Sequence, residues 1–416
     1  MHRGIRLLIA WGVGLVVGAG GERSSYAQAP LPQNVLVPSV PAELKAWLGE
    51  TSPSSLPPGS YAVGQLTAVL PPHAAQWLAT EATNGTTPAL DVVATPVYDV
   101  PIADHVHQLK PTGELDDTTQ CGRELPFPGL APTADRAGLK AVWNLLCRNR
   151  GGSFEYLAHG MRGSGPNPHR SFTNNGRYDY GAKGFTSRSL TLAPDEQKGN
   201  ESSTWTPWAR DEVESFIVYQ AETRRARAIS TTRSDKFAGT YFTRERLFGW
   251  EGQYFVYDWV LLGERPVLAV LDSRHGFPQY FPANRWFPDD QWMLRPAMLV
   301  VGKRAHKRAG SAYVALWLDK ATFEPLWAVT YDDAGTASSI RVLTFKWNAQ
   351  YRRHVTLGQS TVDLDASGVP VGGSVFEAAF CRTLHHPDAP TDASAFSGKA
   401  LGQATSSWSD LPPGCE

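Results

Sequence analysis

The chain has few cysteines, almost no net charge and no long apolar run beyond its N-terminus. Its 416 residues carry 39 basic and 40 acidic side chains, a formal net charge of −1. That balance excludes the basic stripe on which nucleic-acid binding rests. The four cysteines include no C-x-x-C pair, which speaks against a structural zinc site. No later stretch approaches the roughly 20 apolar residues that a spanning helix needs, so an integral helical membrane protein is not expected. Signatures of catalysis are also missing. No phosphate-cradling glycine loop ends in Lys-Ser/Thr. Gly163-Ser164-Gly165 lacks the spacing of a nucleophile elbow, because position 162 is Arg. Asp363-Leu364-Asp365-Ala366-Ser367-Gly368 begins like a calcium loop, but its twelfth position is Ser374 rather than a bidentate Glu, so it reads as a hairpin turn. Asp104-His105-Val106-His107 and His385-His386-Pro387-Asp388 do not supply a spaced ligand set. No enzyme, metal or cofactor is expected from these patterns.

What is present begins at the N-terminus. A short basic start (Met1 to Arg6) precedes an apolar run from Leu7 to Gly20, and Ser25 and Ala27 give a small-x-small pattern. This reads as a secretory leader cleaved after Ala27, and it predicts a periplasmic protein. No cysteine stands near the cleavage point to carry a lipid anchor. In an oxidising compartment an even cysteine count reads as disulfides, and four cysteines allow three connectivities. Closeness in sequence favours Cys121–Cys147 and Cys381–Cys415, each contributing about 2–4 kcal/mol.

With 31 Pro, 38 Gly and 45 aromatic residues (14 Trp, 14 Tyr, 17 Phe), the chain suits short, turn-separated strands. Residues 28–60 read as an extended arm with a short helix near Ala42–Leu48. Residues 61–119 are weakly patterned, with strands over Val63–Leu70 and Leu90–Val100 and a helix over Ala74–Ala82. A stronger helix is predicted from Ala134 to Arg150. Thr133 is its cap, Leu139, Val142, Trp143 and Leu146 form an apolar stripe, and Gly151-Gly152 stops it. A polar stretch over about 160–210 precedes Phe216, where the pattern turns to strands. Tyr254–Leu262, a turn at Gly263–Pro266 and Val267–Leu271 read as a hairpin. Strands follow at Trp292–Val301, Tyr313–Leu318, Leu326–Tyr331, Ser339–Trp347 and Val355–Asp363, a meander with Asp/Gly turns. The organisation is therefore a leader (1–27), an N-terminal arm and poorly assigned region (28–119), a β domain (120–385) and a C-terminal tail (386–416) tethered by Cys381–Cys415. The fold class is mainly β (α+β).

Four stretches resemble the exported proteobacterial family known as domain of unknown function 1329. They are Pro126-Phe127-Pro128 with Gly138 to Asn144 and Arg150-Gly151; Val218-Tyr219 with Arg224-Arg225-Ala226-Arg227; Tyr257-Asp258-Trp259 through Leu262-Gly263; and Leu318-Asp319, Thr322, Tyr331-Asp332 and Gly335. The resemblance covers residues 120–380 or so. Residues 28–119 depart from the family's N-terminal pattern, and Arg295–Val301 stands where an aromatic and acidic strand is expected, which makes this a divergent member. The resemblance implies a LolA/LolB-like fold: a large curved antiparallel sheet or half-barrel, with a helix packed in or over its concave face and a hydrophobic cleft between them. It also implies partners, an outer-membrane β-barrel and a transporter of the resistance-nodulation-division type, and a role in moving lipid-like material.

Two groups of candidate site residues follow. Phe255, Tyr257, Trp259, Leu261, Trp317, Trp327 and Tyr331 are candidates to line a hydrophobic site, ordinary core packing being the competing reading. Arg224, Arg225 and Arg227 are candidates to hold anionic head groups or a partner, against the plainer reading of a solvated strand edge. The function expected is a carrier of a lipid-like molecule. The alternatives are a ligand-free adaptor for an outer-membrane barrel or transporter, and then a periplasmic hydrolase.

Overall fold

The computed structural model describes residues 40–82, 86–163, 169–229, 236, 240–276, 278–281, 286–305 and 311–384. The expected leader and its cleavage point, the motif at 385–388 and the tail at 386–416 lie outside the described residues. So does the Cys381–Cys415 pairing, since the side chain of Cys381 is not described either.

In chain order the elements are α1 (Ala42–Gly49), β1 (Gly59–Ala62), α2 (Val63–Leu66), α3 (Ala74–Ala79), β2 (Ala89–Val93) and α4 (Ala137–Cys147). Next come β3 (Ser153–Gly163), β4 (His169–Gly181), β5 (Gly184–Ala193), β6 (Glu201–Pro207), β7 (Ser215–Gln220) and β8 (Arg225–Ala228). The chain then forms β9 (Tyr257–Ala269), β10 (Gln291–Arg304), β11 (Tyr313–Asp319), β12 (Pro325–Tyr331), β13 (Ala337–Asn348), β14 (Arg353–Leu364) and β15 (Pro370–Leu384). All the strands belong to one open sheet in the order β1-β2-β10-β11-β12-β13-β14-β15-β3-β4-β5-β6-β7-β8, with β9 also paired to β10. Neighbours run antiparallel except β2, which lies parallel to β10 over Gln291–Met293.

The central strands are apolar on both faces, and each face has its own cover, as such strands require. Ala297, Leu299 and Val301 of β10 belong to one core and Met298 and Val300 to the other. On the first face the N-terminal helices supply Leu44, Trp47, Trp77 and Leu78, all buried. Trp47 meets Trp317 edge-on at 5.7 Å, and its indole N–H donates to the Leu70 carbonyl at 2.8 Å. Residues 40–48 of the stretch expected as an arm are thus packed onto this core, while residues 49–58 stay exposed or half-buried on the way to β1. Val63–Leu70, expected as a strand, is helical instead: the Gln65 side chain accepts the Ala62 N–H at 2.9 Å and starts the turn.

On the second face lies α4, buried at every residue but Lys140. It is shorter than the expected 134–150. Arg136, with φ of +53°, takes the capping position in place of Thr133, and Arg148 is already extended. Gly138 permits the close seat against β9, since a methyl group there would fall 2.6 Å from the Val260 backbone. The two parts of the opening motif bind each other. The Asn144 amide oxygen accepts the Phe127 N–H at 2.7 Å, and its NH2 donates to the Phe127 carbonyl at 2.8 Å. Asn144 thus supplies the pairing that Phe127, between two prolines, cannot obtain from a neighbouring strand.

Two further expectations are corrected. Tyr254–Leu271 is not a hairpin: β9 runs straight through Gly263-Glu264-Arg265-Pro266 along β10. Pro266 faces Pro296, so the two residues without an N–H oppose each other, and a bulge at Leu299/Val300 absorbs the irregularity. The polar stretch at 160–210 holds β4, β5, β6 and the end of β3. Its strands turn Phe172, Tyr178 and Phe185 inward and place Thr173, Asn175, Asp179 and Thr186 between them.

Candidate functional site

The seven candidate lining residues divide between the two faces. Tyr257 and Leu261 are buried in the second core, with the half-buried Phe255 and Trp259 against it. Trp317, Trp327 and Tyr331 lie in the first core and are fully buried. The sheet therefore separates the two sets, and no single cleft gathers all seven. Around β9 the second core is dense in rings. Trp259 stands edge-on to Trp250 at 4.9 Å and lies over Gly302, where no Cβ would fit. Trp143 of α4 meets Tyr254 at 4.7 Å and Trp208 at 5.7 Å. Phe154, Tyr156, Phe172, Tyr178 and Phe185 complete an aromatic wall from β3 to β5.

The C-terminal end of α4 is held by buried charge. Cys147 is bridged to Cys121, as expected from their closeness in sequence. Arg148 pairs with Glu324 at 2.7 Å, both nearly inaccessible. Burial pushes the Arg148 guanidinium down and the Glu324 carboxyl up, so loss of hydration outweighs their mutual attraction. Arg150 donates to Glu251 at 3.0 Å and to the Tyr180 hydroxyl at 2.7 Å, with the Phe248 ring 4.7 Å from its guanidinium carbon. Tyr178 donates to the other Glu251 oxygen at 2.7 Å, and burial raises the pKa of that phenol well above the usual range. Beside this network is His354, fully buried among Tyr98, Phe345 and Trp347, with both ring nitrogens unpartnered. Burial holds its pKa down to about 3, so the ring stays neutral.

A polar cavity of about 270 Å³ opens where the segment after β8 crosses the ends of β11, β12 and β13. Thr243, Glu245, Arg246, Ser311, Tyr331 and Asp332 are among its lining residues. Tyr257 reaches its rim, donating to the Ser311 carbonyl at 3.4 Å; burial and Glu245 raise the pKa of its hydroxyl. Arg246 contacts Asp363 at 3.4 Å, and Lys236 holds the same carboxylate at 2.6 Å. Arg341 on β13 is fully buried close to these groups. Sequence reading missed Arg341, Glu245 and Arg246. An Arg between Ile340 and Val342 looks like the solvent-facing position of an alternating strand, and nothing local announces the segment that covers it.

Arg224, Arg225 and Arg227 are all exposed on the hairpin of β7 and β8, at the end of the sheet. His107 pairs with Asp116 at 3.0 Å, and its ring lies 4.0 Å from that of His105, tilted by 48°. Among the described residues, no group of three His, Cys, Asp or Glu is placed to hold a metal. The loop at 365–368 is a turn capped by Asp365, which accepts the N–H groups of Ser367 and Val369. No helix of the described residues is long and apolar enough to cross a membrane.

These features define a mostly β protein with a large open sheet and an aromatic interior closed by one buried helix. Residues 95–401 match the family described as "Protein of unknown function (DUF1329)", and the chain belongs to that family. Among solved structures it is similar to a DUF1329 family protein from Desulfovibrio piger, with 14% identity and TM-score 0.47 over 62% of this chain and 98% of that one. It is similar as well to one described as an outer membrane lipoprotein-sorting protein domain from Vibrio parahaemolyticus (14%, 0.46, 64% and 98%). A third is a LolA superfamily protein from Nitrosomonas europaea (13%, 0.36, 56% and 86%). No curated protein matches the chain. The departure noted at Arg295 has a local reason: it forms a buried pair with Asp319 at 2.7 Å and donates to the Pro96 carbonyl.

Proposed function

We propose that the protein is a periplasmic carrier that shields a lipid-like hydrophobic molecule inside the second core, with α4 as the plug the molecule displaces. The observation that carries this reading is the seat of α4, a buried helix lodged between β9 and a wall of rings rather than laid on the surface. Moving it would uncover an apolar, aromatic chamber of the kind that binds hydrophobic ligands. Each buried methylene of an acyl chain would contribute about 0.8 kcal/mol toward displacing it. The leader pattern supports export, and the exposed arginine hairpin offers a contact for acidic head groups. The test is native mass spectrometry of the protein taken from a periplasmic extract, followed by solvent extraction and lipid analysis. A discrete added mass, lost in Trp259→Glu, is the expected result. A bare mass, together with no uptake of a fluorescent fatty acid before or after reduction of Cys121–Cys147, would sink the reading.

A second reading is a ligand-free adaptor for an outer-membrane barrel or a resistance-nodulation-division transporter. It is favoured by both cores being filled with the chain's own side chains. A stable complex with such a partner, formed by lipid-free protein, would select it.

A further inference from the structure

Helix α4 is bound along its length to the strap of chain that precedes it, residues 100–130. The Arg136 guanidinium donates to the Lys110 carbonyl at 2.8 Å, and the Trp143 indole N–H to the Gly113 carbonyl at 2.9 Å. Asn144 exchanges two hydrogen bonds with Phe127, and Cys147 is bridged to Cys121. The disulfide thus joins helix to strap and fastens neither to the sheet. Both ends of this body are anchored beside one turn, that between β13 and β14. Ahead of it, Arg352 pairs with Asp99 at 2.7 Å. Behind it, the Asn149 amide donates to the Tyr351 carbonyl at 3.0 Å, and Arg148 and Arg150 pair with the buried Glu324 and Glu251. Separating either buried pair would strand a charge away from water, so the ends hold while what lies between them moves. On the other side of β15 and β3 in the sheet, the segment after β6 meets both parts of the body. The Arg210 N–H donates to the Glu114 carboxylate at 3.1 Å, and Trp208 packs against Trp143 at 5.7 Å. One short stretch therefore holds strap and helix shut together.

We propose that residues 100–147 are a single hinged flap, in which strap and α4 swing as one about the β13–β14 turn and residues 208–210 are the catch. The proposal rests on the reading of α4 as the plug of a ligand chamber, and it names what moves to open that chamber. A surface segment whose ends lie together is able to open as a unit, at less than the stability of the whole fold. A helix leaving alone would have to break the Asn144 exchange while still tethered to the strap by the disulfide. A flap breaks neither tie.

Hydrogen exchange of the full chain, followed by mass spectrometry, tests it. The amides to watch are those of α4 and of the strap between Gln108 and Asp116, where Asp116 N–H donates to the Gln108 carbonyl. In Glu114→Ala, which opens the catch, both are expected to exchange about fivefold faster, the effect of one lost hydrogen bond. The two factors should agree within about twofold, and α1 should not change. With Cys121 and Cys147 also replaced by Ser, the same substitution should quicken the strap more than the helix, because the two are no longer one body. Acceleration of the strap alone in the disulfide-bonded chain overturns the proposal, and so does no change in either part. Should the serine variant not fold, the comparison of strap with helix in Glu114→Ala decides by itself. Uptake of a fluorescent fatty acid is read on the same samples. Equal acceleration of strap and helix without any uptake would count against the carrier reading and leave the flap standing.

Discussion

The two faces of the sheet are covered in different ways. On the face of α1 to α3, the cover comes from the first third of the chain and buries aliphatic and indole side chains, with Trp47 and Trp327 donating to backbone carbonyls. On the face of α4, the cover is one helix whose end is held by a disulfide, two buried ion pairs and an Asn–backbone exchange. The first face holds buried charge as well, Arg295 paired with Asp319 and Arg265 over the Trp47 ring, but its cover is fixed chiefly by packing into one good arrangement. A cover fixed by discrete polar ties can leave when those ties are broken. The difference teaches where motion belongs in this protein: on the α4 side.

The sharpest way to break this comparison is to weaken the first face. Trp327→Ala removes a fully buried indole that packs on Trp292 and Phe287. It should cost about 3–5 kcal/mol, read as a fall in the urea midpoint at constant slope. A loss below about 1 kcal/mol would show that this face is not the rigid one. Next, replacing Cys121 and Cys147 by Ser frees a loop closed over 26 residues, worth about 3.5 kcal/mol in the chain-entropy account. Hydrogen exchange should then quicken in α4 well before α1. Equal acceleration of both helices would erase the proposed asymmetry.

His354 lies at the seam of the two faces and gives a pH test. Its pKa is lowered from 6.5 to about 3 in the folded chain by burial. Between those values the unfolded chain binds a proton that the folded chain does not, so stability rises with pH across that window. Its contribution is complete above about pH 6.5 and lost as pH falls toward 3. The size is about 3 kcal/mol after allowing for relaxation around the ring. Denaturation curves of His354→Phe at pH 4 and pH 7 should lack this difference, and an unchanged slope would remove His354 from the account. The smallest effect is expected at the hairpin of β7 and β8. Arg225→Glu with Arg227→Glu should shift stability by less than about 0.5 kcal/mol while reducing binding to anionic vesicles. Unchanged vesicle binding would leave the exposed arginines as a solvated edge.

Much of the first face's partner strands was legible. The runs from Trp292 to Tyr331 are apolar at successive positions, Leu326–Tyr331 and Val355–Asp363 end in Asp/Gly turns, and those features are local. The stripe through Leu139, Val142, Trp143 and Leu146 announced α4 for the same reason. Three features were not legible. Gly263-Glu264-Arg265-Pro266 has turn chemistry, and only the facing Pro296 makes it tolerable in a strand. β4 to β6 are polar by composition and are strands because each residue finds a cross-strand partner far away. The buried setting of Arg341 brings Glu245, Arg246 and Tyr257 to it from far away in sequence, so no window contains it. The aromatic candidates were chosen by type, and type alone cannot tell one face of a doubly covered sheet from the other.

The pairing of β15 with β3 sets the order in which this protein is able to form. Ser374 lies opposite Arg162, and Gln291 opposite Asp91, so the sheet is closed by contacts about 200 positions apart. Until β15 has been synthesised, β3 and β14 each present an unpaired edge, and the aromatic wall behind β3 has no finished neighbour. Such long-range closure is slow and leaves the chain open to aggregation while it waits. A chain truncated before Pro370 will therefore not yield a smaller stable protein, because the middle of the sheet is completed by β15, the last strand among the described residues.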